Sequence, residues 1–141
     1  MKTLKNLTAA FLIILTASSF ANEKSKSEKL LMDYTIKRYA DALGHGQIKG
    51  ISEIFDRNVK MTTTIHKKIV NYDKGDILLS LKYIQNVEQN CETTYTMIEK
   101  TQTQALAKVT LNYDSFSKVN YISLANTAKG WRITNISVVV N

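Results

Sequence analysis

Three alternating segments decide the fold of this chain: Gln104-Ala-Leu-Ala-Lys-Val-Thr-Leu-Asn-Tyr113, Lys118-Val-Asn-Tyr-Ile-Ser-Leu-Ala-Asn126 and Trp131-Arg-Ile-Thr-Asn-Ile-Ser-Val-Val-Val140. Apolar and polar residues alternate along each segment, which is the period of a β-strand with one buried face. Short turns of Ser, Asp, Lys and Gly separate the segments. The pattern therefore predicts an antiparallel meander, because such turns connect neighbouring antiparallel strands.

The last of these segments changes phase in its middle. Trp131 and Ile133 fall on one side of a regular strand, whereas Ile136 and Val138 fall on the other side. A β-bulge near Thr134-Asn135 would return them to a single buried face, and bulges bend the strand that carries them. We therefore expect a curved sheet.

The upstream half of the chain adds helices to this sheet. A stripe of residues at helical spacing predicts a long first helix. Gly44-His-Gly46 would end this helix, since Gly tolerates the left-handed conformation found just past helix ends. The stripe consists of Met32, Thr35, Ile36, Tyr39, Ala40 and Leu43. The predicted face of a second, shorter helix consists of Ile48, Ile51, Ile54 and Phe55.

Two further strands and a third helix complete the predicted order. Val59–Ile65 is rich in β-formers, and Lys68-Ile-Val70 would be its hairpin partner. Asp73-Lys-Gly-Asp76 resembles a capped helix start, and alternation from Cys91 to Met97 predicts the next strand. The order is then α-α-β-β-α-β-β-β-β, an α+β domain with its helices on one side of the sheet.

The N-terminus has the pattern of a secretory leader. A basic start and the apolar run Leu7–Leu15 precede Ser19-Phe-Ala21, a small-x-small cleavage signal. We expect export to the periplasm or the medium, without stable membrane insertion after cleavage and without a lipid anchor, because no Cys lies near the cleavage point. The predicted organisation is a signal peptide over residues 1–21 cleaved after Ala21, a disordered segment over residues 22–28 and a single domain over residues 29–141.

Composition argues against several classes of function. The formal net charge is +7, but the basic residues are dispersed, whereas nucleic-acid readers show a dense basic stripe interleaved with aromatic residues. We therefore expect no nucleic-acid partner. Cys91 is the single Cys and cannot form an internal disulfide. One Cys and two separated His residues cannot supply a closed zinc site, so we expect neither a metal nor a cofactor.

The element order and two motifs resemble the nuclear transport factor two-like superfamily. The motifs are Tyr121-Ile-Ser-Leu124 and the following Gly130-Trp-Arg-Ile-Thr-Asn135. Within it, the chain is most similar to the secreted bacterial branch known as "putative lumazine-binding", over roughly residues 28–140. The similarity of the opening helix pair and first strand to that branch rests on Tyr39, Gly46, Phe55 and Val59-Lys-Met61.

This resemblance implies a cone-shaped, cystatin-like domain. A strongly curved antiparallel sheet of five or six strands would wrap around the long N-terminal helix and leave a pocket at its open end. The resemblance also implies frequent homodimers through the sheet. Members include ketosteroid isomerase, polyketide cyclases, dehydratases and transport adaptors, so the fold leaves the chemistry open.

Aromatic residues supply most of the candidate pocket. Tyrosine offers flat apolar area with a polar tip, which suits a small planar or acidic ligand; the alternative for each is plain core packing. His66 precedes two lysines that would disfavour its protonation, so a neutral His at a pocket rim is a further candidate. The candidate ligand-binding residues are Tyr34, Tyr39, His66, Tyr95, Tyr113, Tyr121 and Trp131.

The sequence shows no clear catalytic set. Its aspartates lie opposite the apolar helix stripe or in turns and caps, where nothing would raise their pKa toward a catalytic range. The first hypothesis is therefore an exported pocket domain that binds a small molecule without catalysis. The second is an isomerase, cyclase or dehydratase with His66 or an unplaced carboxylate as base. The third is a homodimeric interaction module.

Overall fold

The computed structural model describes residues 31–141, which hold two α-helices and six strands. The predicted leader and the polar segment 22–28 lie outside the described residues. Neither described helix is long and apolar enough to cross a membrane. The elements are α1 (Met32–His45), a 3-10 turn (Ile51–Ile54), β1 (Phe55–Ile65), β2 (Lys68–Tyr72), α2 (Lys74–Tyr83), β3 (Glu92–Lys100), β4 (Gln104–Asn112), β5 (Ser117–Thr127) and β6 (Gly130–Val140).

The six strands form one curled, open sheet in the order β2-β1-β6-β5-β4-β3. The predicted α+β class and the meander of the last three strands are confirmed, and β3 pairs with β4 to extend the meander. The sheet is mixed, however, because β1 pairs with β6 in parallel, so the expectation of a wholly antiparallel sheet is corrected at this pair. Short turns force their strands to be antiparallel, but no turn connects β1 to β6 directly.

The predicted bulge in the last strand is confirmed. Ser123 of β5 lies opposite Asn135, and Leu124 lies opposite Ile133, so Thr134 is the extra residue of β6. The Thr134 hydroxyl donates to the Ser123 carbonyl at 3.2 Å. The buried residues on the two sides of the bulge are Trp131, Ile133, Ile136 and Val138.

The predicted second helix is replaced by the 3-10 turn Ile51–Ile54. Gly50 precedes this turn in the left-handed conformation, with φ of 70°, and Phe55 already begins β1. Four residues between a left-handed Gly and a strand leave no room for an α-helix. Ile51 and Ile54 are nevertheless buried, as the apolar pattern predicts.

Helix α1 packs its predicted stripe against the inner face of the sheet. The Thr35 hydroxyl donates to the Trp131 carbonyl at 2.9 Å. Tyr39 is fully buried, and its ring lies edge-on to Phe55 with 6.0 Å between ring centroids. The Tyr39 hydroxyl lies 3.2 Å from Asn120 Oδ1 and donates to it. The space beneath α1 is therefore filled by side chains, and the open clefts lie at the margins of this core.

Candidate functional site

A cleft of about 540 Å³ lies between α2, the β1–β2 hairpin and the adjoining ends of β5 and β6. We call it the α2 cleft. Most of its wall is apolar or aromatic, and the polar groups are few. The lining residues are Met61, Thr63, Thr64, Ile65, Tyr72, Asp76, Ile77, Leu79, Ser80, Tyr83, Lys118, Val138 and Val140.

One face of α2 forms a wall of this cleft. Asp76, Leu79, Ser80 and Tyr83 follow one another at intervals of three, one and three residues, which places them on one side of the helix. A capping box, in which Asp73 and Asp76 exchange side-chain and backbone hydrogen bonds, fixes the start of the helix. The neighbouring buried stripe, Ile77 and Leu81, anchors α2 to the core.

The floor of the α2 cleft comes from strands that are far apart in the sequence. Met61, Thr63 and Ile65 alternate along β1 and point to one side of the sheet. Thr63 lies beside Val138 in the parallel β1–β6 pair, and Lys118 lies opposite Val140 in the β5–β6 pair. The parallel pair that the sequence did not predict is therefore what assembles this floor.

The polar groups of the α2 cleft have defined roles. The Thr63 hydroxyl donates to the Val138 carbonyl at 3.3 Å, and the Ser80 hydroxyl donates to the Ile77 carbonyl at 2.8 Å. Because both hydroxyl protons are used, their oxygens can only accept further hydrogen bonds. Lys118 supplies donors and a positive charge.

The seven residues predicted for the pocket lie elsewhere. Tyr39 and Trp131 belong to the core, and Tyr34 packs against it half-buried. The Tyr113 hydroxyl donates to Gln89 Oε1 at 3.2 Å, and its ring stacks on Phe116 with 4.5 Å between centroids. Burial, and secondarily the nearby Cys91 thiol, raises the pKa of Tyr113.

The remaining three candidates are exposed. Tyr95 lies on the edge strand β3. Tyr121 lies between the buried Asn120 and Ile122 of β5, so it points to the convex side of the sheet. His66 occupies the turn between β1 and β2, next to Ile65 of the cleft. None of the seven lines the α2 cleft, and their part in ligand binding stays a prediction.

Sequence reasoning missed the two tyrosines that do line the cleft, Tyr72 and Tyr83. Tyr83 is four residues after Leu79, beside the buried pair Ile77 and Leu81 of α2, and this second stripe was the available signal. Tyr72 ends β2, which the sequence predicted only to Val70.

Acidic and metal-ligating side chains are dispersed over the described residues. No group of three or more His, Cys, Asp or Glu converges within them. Lys37 forms an ion pair with Asp41, and His45 Nδ1 contacts Glu88 Oε1, but neither pair lies in the α2 cleft. Asp76 is the carboxylate of the cleft wall, and its Oδ2 accepts the Asp73 N–H at 3.2 Å as part of the helix cap.

A curled six-stranded sheet wrapped against one long helix defines a domain of the nuclear transport factor two-like, cystatin-like class. The family model described as "Putative lumazine-binding" matches residues 27–137. The chain belongs to this family. No curated protein matches it.

Solved structures show the same fold. An NTF-2 like protein of unknown function from Silicibacter pomeroyi aligns with a TM-score of 0.62 at 10% identity, covering 89% of this chain and 98% of its own. An NTF2-like protein of unknown function from Shewanella baltica aligns at 0.61 and 12% identity, covering 76% and 88%. One from Methylobacillus flagellatus aligns at 0.60 and 19% identity, covering 76% and 86%. At these identities the likeness shows the fold alone.

Proposed function

We propose that this protein is a small-molecule-binding domain that holds a flat ring with polar groups along its edge in the α2 cleft. The observation that carries the proposal is the cleft itself, about 540 Å³ in volume, with eight apolar or aromatic residues among its thirteen. Ligand sites are typically concave, of about 300–1,000 Å³, and mainly apolar with a few placed polar groups. The α2 cleft has each of these properties.

The polar groups favour one class of ligand. The oxygens of Thr63 and Ser80 are acceptors, because their protons are bound to backbone carbonyls, and they suit ring N–H donors. Lys118, another residue of the cleft wall, suits a carbonyl oxygen or an anionic group. A heteroaromatic ring with both N–H and C=O groups along its edge meets these requirements. The family description, which names lumazine, supports the same class.

The cleft favours binding over catalysis, because its carboxylate, Asp76, is engaged in capping α2. A general base must be able to reach a substrate proton, whereas Asp76 already holds the start of α2 through Asp73. The side chains of Tyr83 and Leu79 are both exposed, and they provide apolar surface on which a planar ring can pack.

The test is to measure the Kd of lumazine by isothermal titration calorimetry for the unchanged protein and for two matched variants. Leu79→Asp places a carboxylate in the cleft wall, at a residue that is 53% exposed. Ile69→Asp makes the same kind of change at a residue that is 73% exposed on β2 and does not line the cleft. We expect Kd to rise at least about tenfold for Leu79→Asp, because a charge replaces apolar contact, and to stay within about twofold for Ile69→Asp.

Two outcomes would count against the proposal. One is equal weakening by both substitutions, which would mean that the ligand binds outside the cleft. The other is no binding of lumazine or of related flat heteroaromatic compounds to the unchanged protein at millimolar concentration. Circular dichroism of each variant would confirm that the fold is intact before binding is compared.

A further inference from the structure

A second cleft, of about 750 Å³, lies where the start of β1 meets the start of α2 and the β5–β6 turn. We call it the basic cleft. It shares no residue with the α2 cleft. Four cationic side chains and two carboxylates line it, which leaves a formal charge of +2. Its lining residues are Ser52, Glu53, Phe55, Asp56, Arg57, Lys74, Thr127, Ala128, Lys129 and Arg132.

Two of the four cations are held in place by the backbone. Lys74 Nζ donates to the Phe55 carbonyl at 3.1 Å, and Arg132 Nη1 donates to the Trp131 carbonyl at 3.2 Å. A long side chain loses rotamer entropy when it is fixed for a ligand. Because Lys74 and Arg132 are already fixed in the cleft wall, a ligand would have less of this cost to overcome.

The carboxylates of the basic cleft form no ion pair with its cations. Asp56 Oδ2 accepts the Asn58 N–H at 2.8 Å, in a local turn of β1. Within residues 31–141, no nitrogen of the four cations lies within 4.0 Å of a carboxylate oxygen. Four cations against two carboxylates leave a net positive potential, which favours anions in a concave site.

An adjoining groove of about 330 Å³ extends the positive surface. It shares Arg57 and Lys74 with the basic cleft and adds Lys60. The groove also contains Asp73, but the carboxylate of Asp73 is occupied in capping α2, where it accepts the Asp76 N–H at 3.1 Å. A ligand longer than a single anion could therefore reach from one recess into the other.

We propose that the basic cleft binds a small, multiply charged oxyanion, such as a phosphate ester or a pyrophosphate group. Arg57 and Arg132 offer guanidinium forks that match phosphate oxygens in pairs, and Lys74 and Lys129 add point charges. A small anion fits better than a nucleic acid, because the one aromatic residue of the lining, Phe55, is 3% exposed and offers no surface for base stacking. The inference is independent of the α2 cleft.

The test is calorimetric titration with inorganic pyrophosphate at low ionic strength. The first variant, Lys129→Gln with Arg132→Gln, removes two cations of the cleft. The matched control, Lys82→Gln with Lys100→Gln, removes the same charge from exposed residues outside the cleft. Losing charge-assisted hydrogen bonds should raise Kd at least about tenfold in the first variant, and the control should change it less than about threefold.

Arg57→Gln, as a single substitution, keeps the proposal testable if the double variant fails to fold. It should also weaken pyrophosphate binding about tenfold. Equal affinities for the cleft variants and the control would overturn the proposal, as would no binding to the unchanged protein at millimolar pyrophosphate.

A separate experiment measures whether the protein sediments with vesicles that contain phosphatidylglycerol. Sedimentation with those vesicles, without binding of pyrophosphate, would also overturn it, because the surface would then recognise a membrane.

Discussion

At the residue scale, Gly46 ends α1 because of both its conformation and its surroundings. Its φ is 63°, and its N–H donates to the Asp41 carbonyl, the left-handed helix end that the sequence predicts. The loop after α2 then packs against this point: Asn86 N–H donates to the Gly46 carbonyl at 3.0 Å, and Gln89 N–H donates to the Gly44 carbonyl at 2.8 Å. A Cβ on Gly46 would lie 2.2 Å from the Ile84 carbonyl oxygen.

Gly50 provides a matched comparison, since it also has positive φ, 70°, but no atom lies within 4 Å of its would-be Cβ. Gly50→Ala should lower the free energy of unfolding by about 1 kcal/mol, the cost of the left-handed conformation alone. Gly46→Ala should lower it by about 3 kcal/mol, because the backbone of the loop must also move. Urea unfolding measures both, and equal losses would show that the loop does not press on Gly46.

At the element scale, the turn that connects β1 to β2 consists of residues that do not favour its backbone conformation. His66 and Lys67 form a two-residue loop, and both have positive φ, 48° and 64°. Two-residue loops of this kind match the twist of the strands and favour Asn-Gly. The hairpin still forms, because β1 pairs on its other side with β6. Neighbouring strands, rather than the turn, therefore stabilise this wall of the α2 cleft.

Replacing the turn with its preferred residues should stabilise the protein. We expect His66→Asn with Lys67→Gly to raise the free energy of unfolding by about 1 kcal/mol, since relief of left-handed strain exceeds the added chain entropy of Gly. The same substitutions at the β4–β5 turn, Asp114→Asn with Ser115→Gly, should bring no gain, because neither residue there has positive φ. Thermal unfolding of both variants tests this, and a gain at both turns would contradict the explanation.

At the scale of the whole molecule, Tyr39 and Asn120 tie α1 to the middle of the sheet. Both are buried, at 0% and 1% exposure, and 81 residues separate them in the chain. Asn120 Nδ2 has no hydrogen-bond partner among the described residues. Leaving a buried donor unpaired costs about 1–3 kcal/mol, so the Tyr39 hydroxyl offsets only part of the cost of burying this amide.

Tyr39 should also make stability depend on pH in the alkaline range. Burial raises the pKa of Tyr39 well above its ordinary value of 10.0, so the folded state holds this proton at a pH where the unfolded chain releases it. The contribution is fully present below pH 10 and is lost as pH rises above it, by about 1.4 kcal/mol per pH unit.

Tyr39→Phe isolates this contribution. The variant should be less stable at neutral pH by about 1–2 kcal/mol, because Asn120 loses its partner, but its stability should fall less steeply above pH 10 than that of the unchanged protein. Tyr121→Phe, on the exposed side of β5, serves as the control and should keep the original slope. Denaturant midpoints between pH 8 and pH 11 provide the measurement; parallel curves for all three proteins would exclude Tyr39 as the titrating group.

The sequence by itself determined most of the elements and their buried faces, with the second helix, which is a 3-10 turn, as the exception. The alternation of β4, β5 and β6, the extra residue at Thr134 and the end of α1 at Gly46 are local patterns, so each could be predicted from residues within one segment. For the same reason the sequence led to the family, whose motifs lie along these elements.

Only the tertiary structure decided where the clefts lie. The α2 cleft depends on Thr63 meeting Val138 across the parallel β1–β6 pair, and on residues of α2 and β5 lining the same space. The basic cleft gathers Arg57, Lys74 and Arg132 from three elements. The spacing of apolar residues indicates which side of an element is buried, but it does not indicate which distant element covers that side. For this reason the sequence did not single out Tyr72 and Tyr83, which line the α2 cleft, whereas the part of the predicted tyrosines in ligand binding stays a prediction.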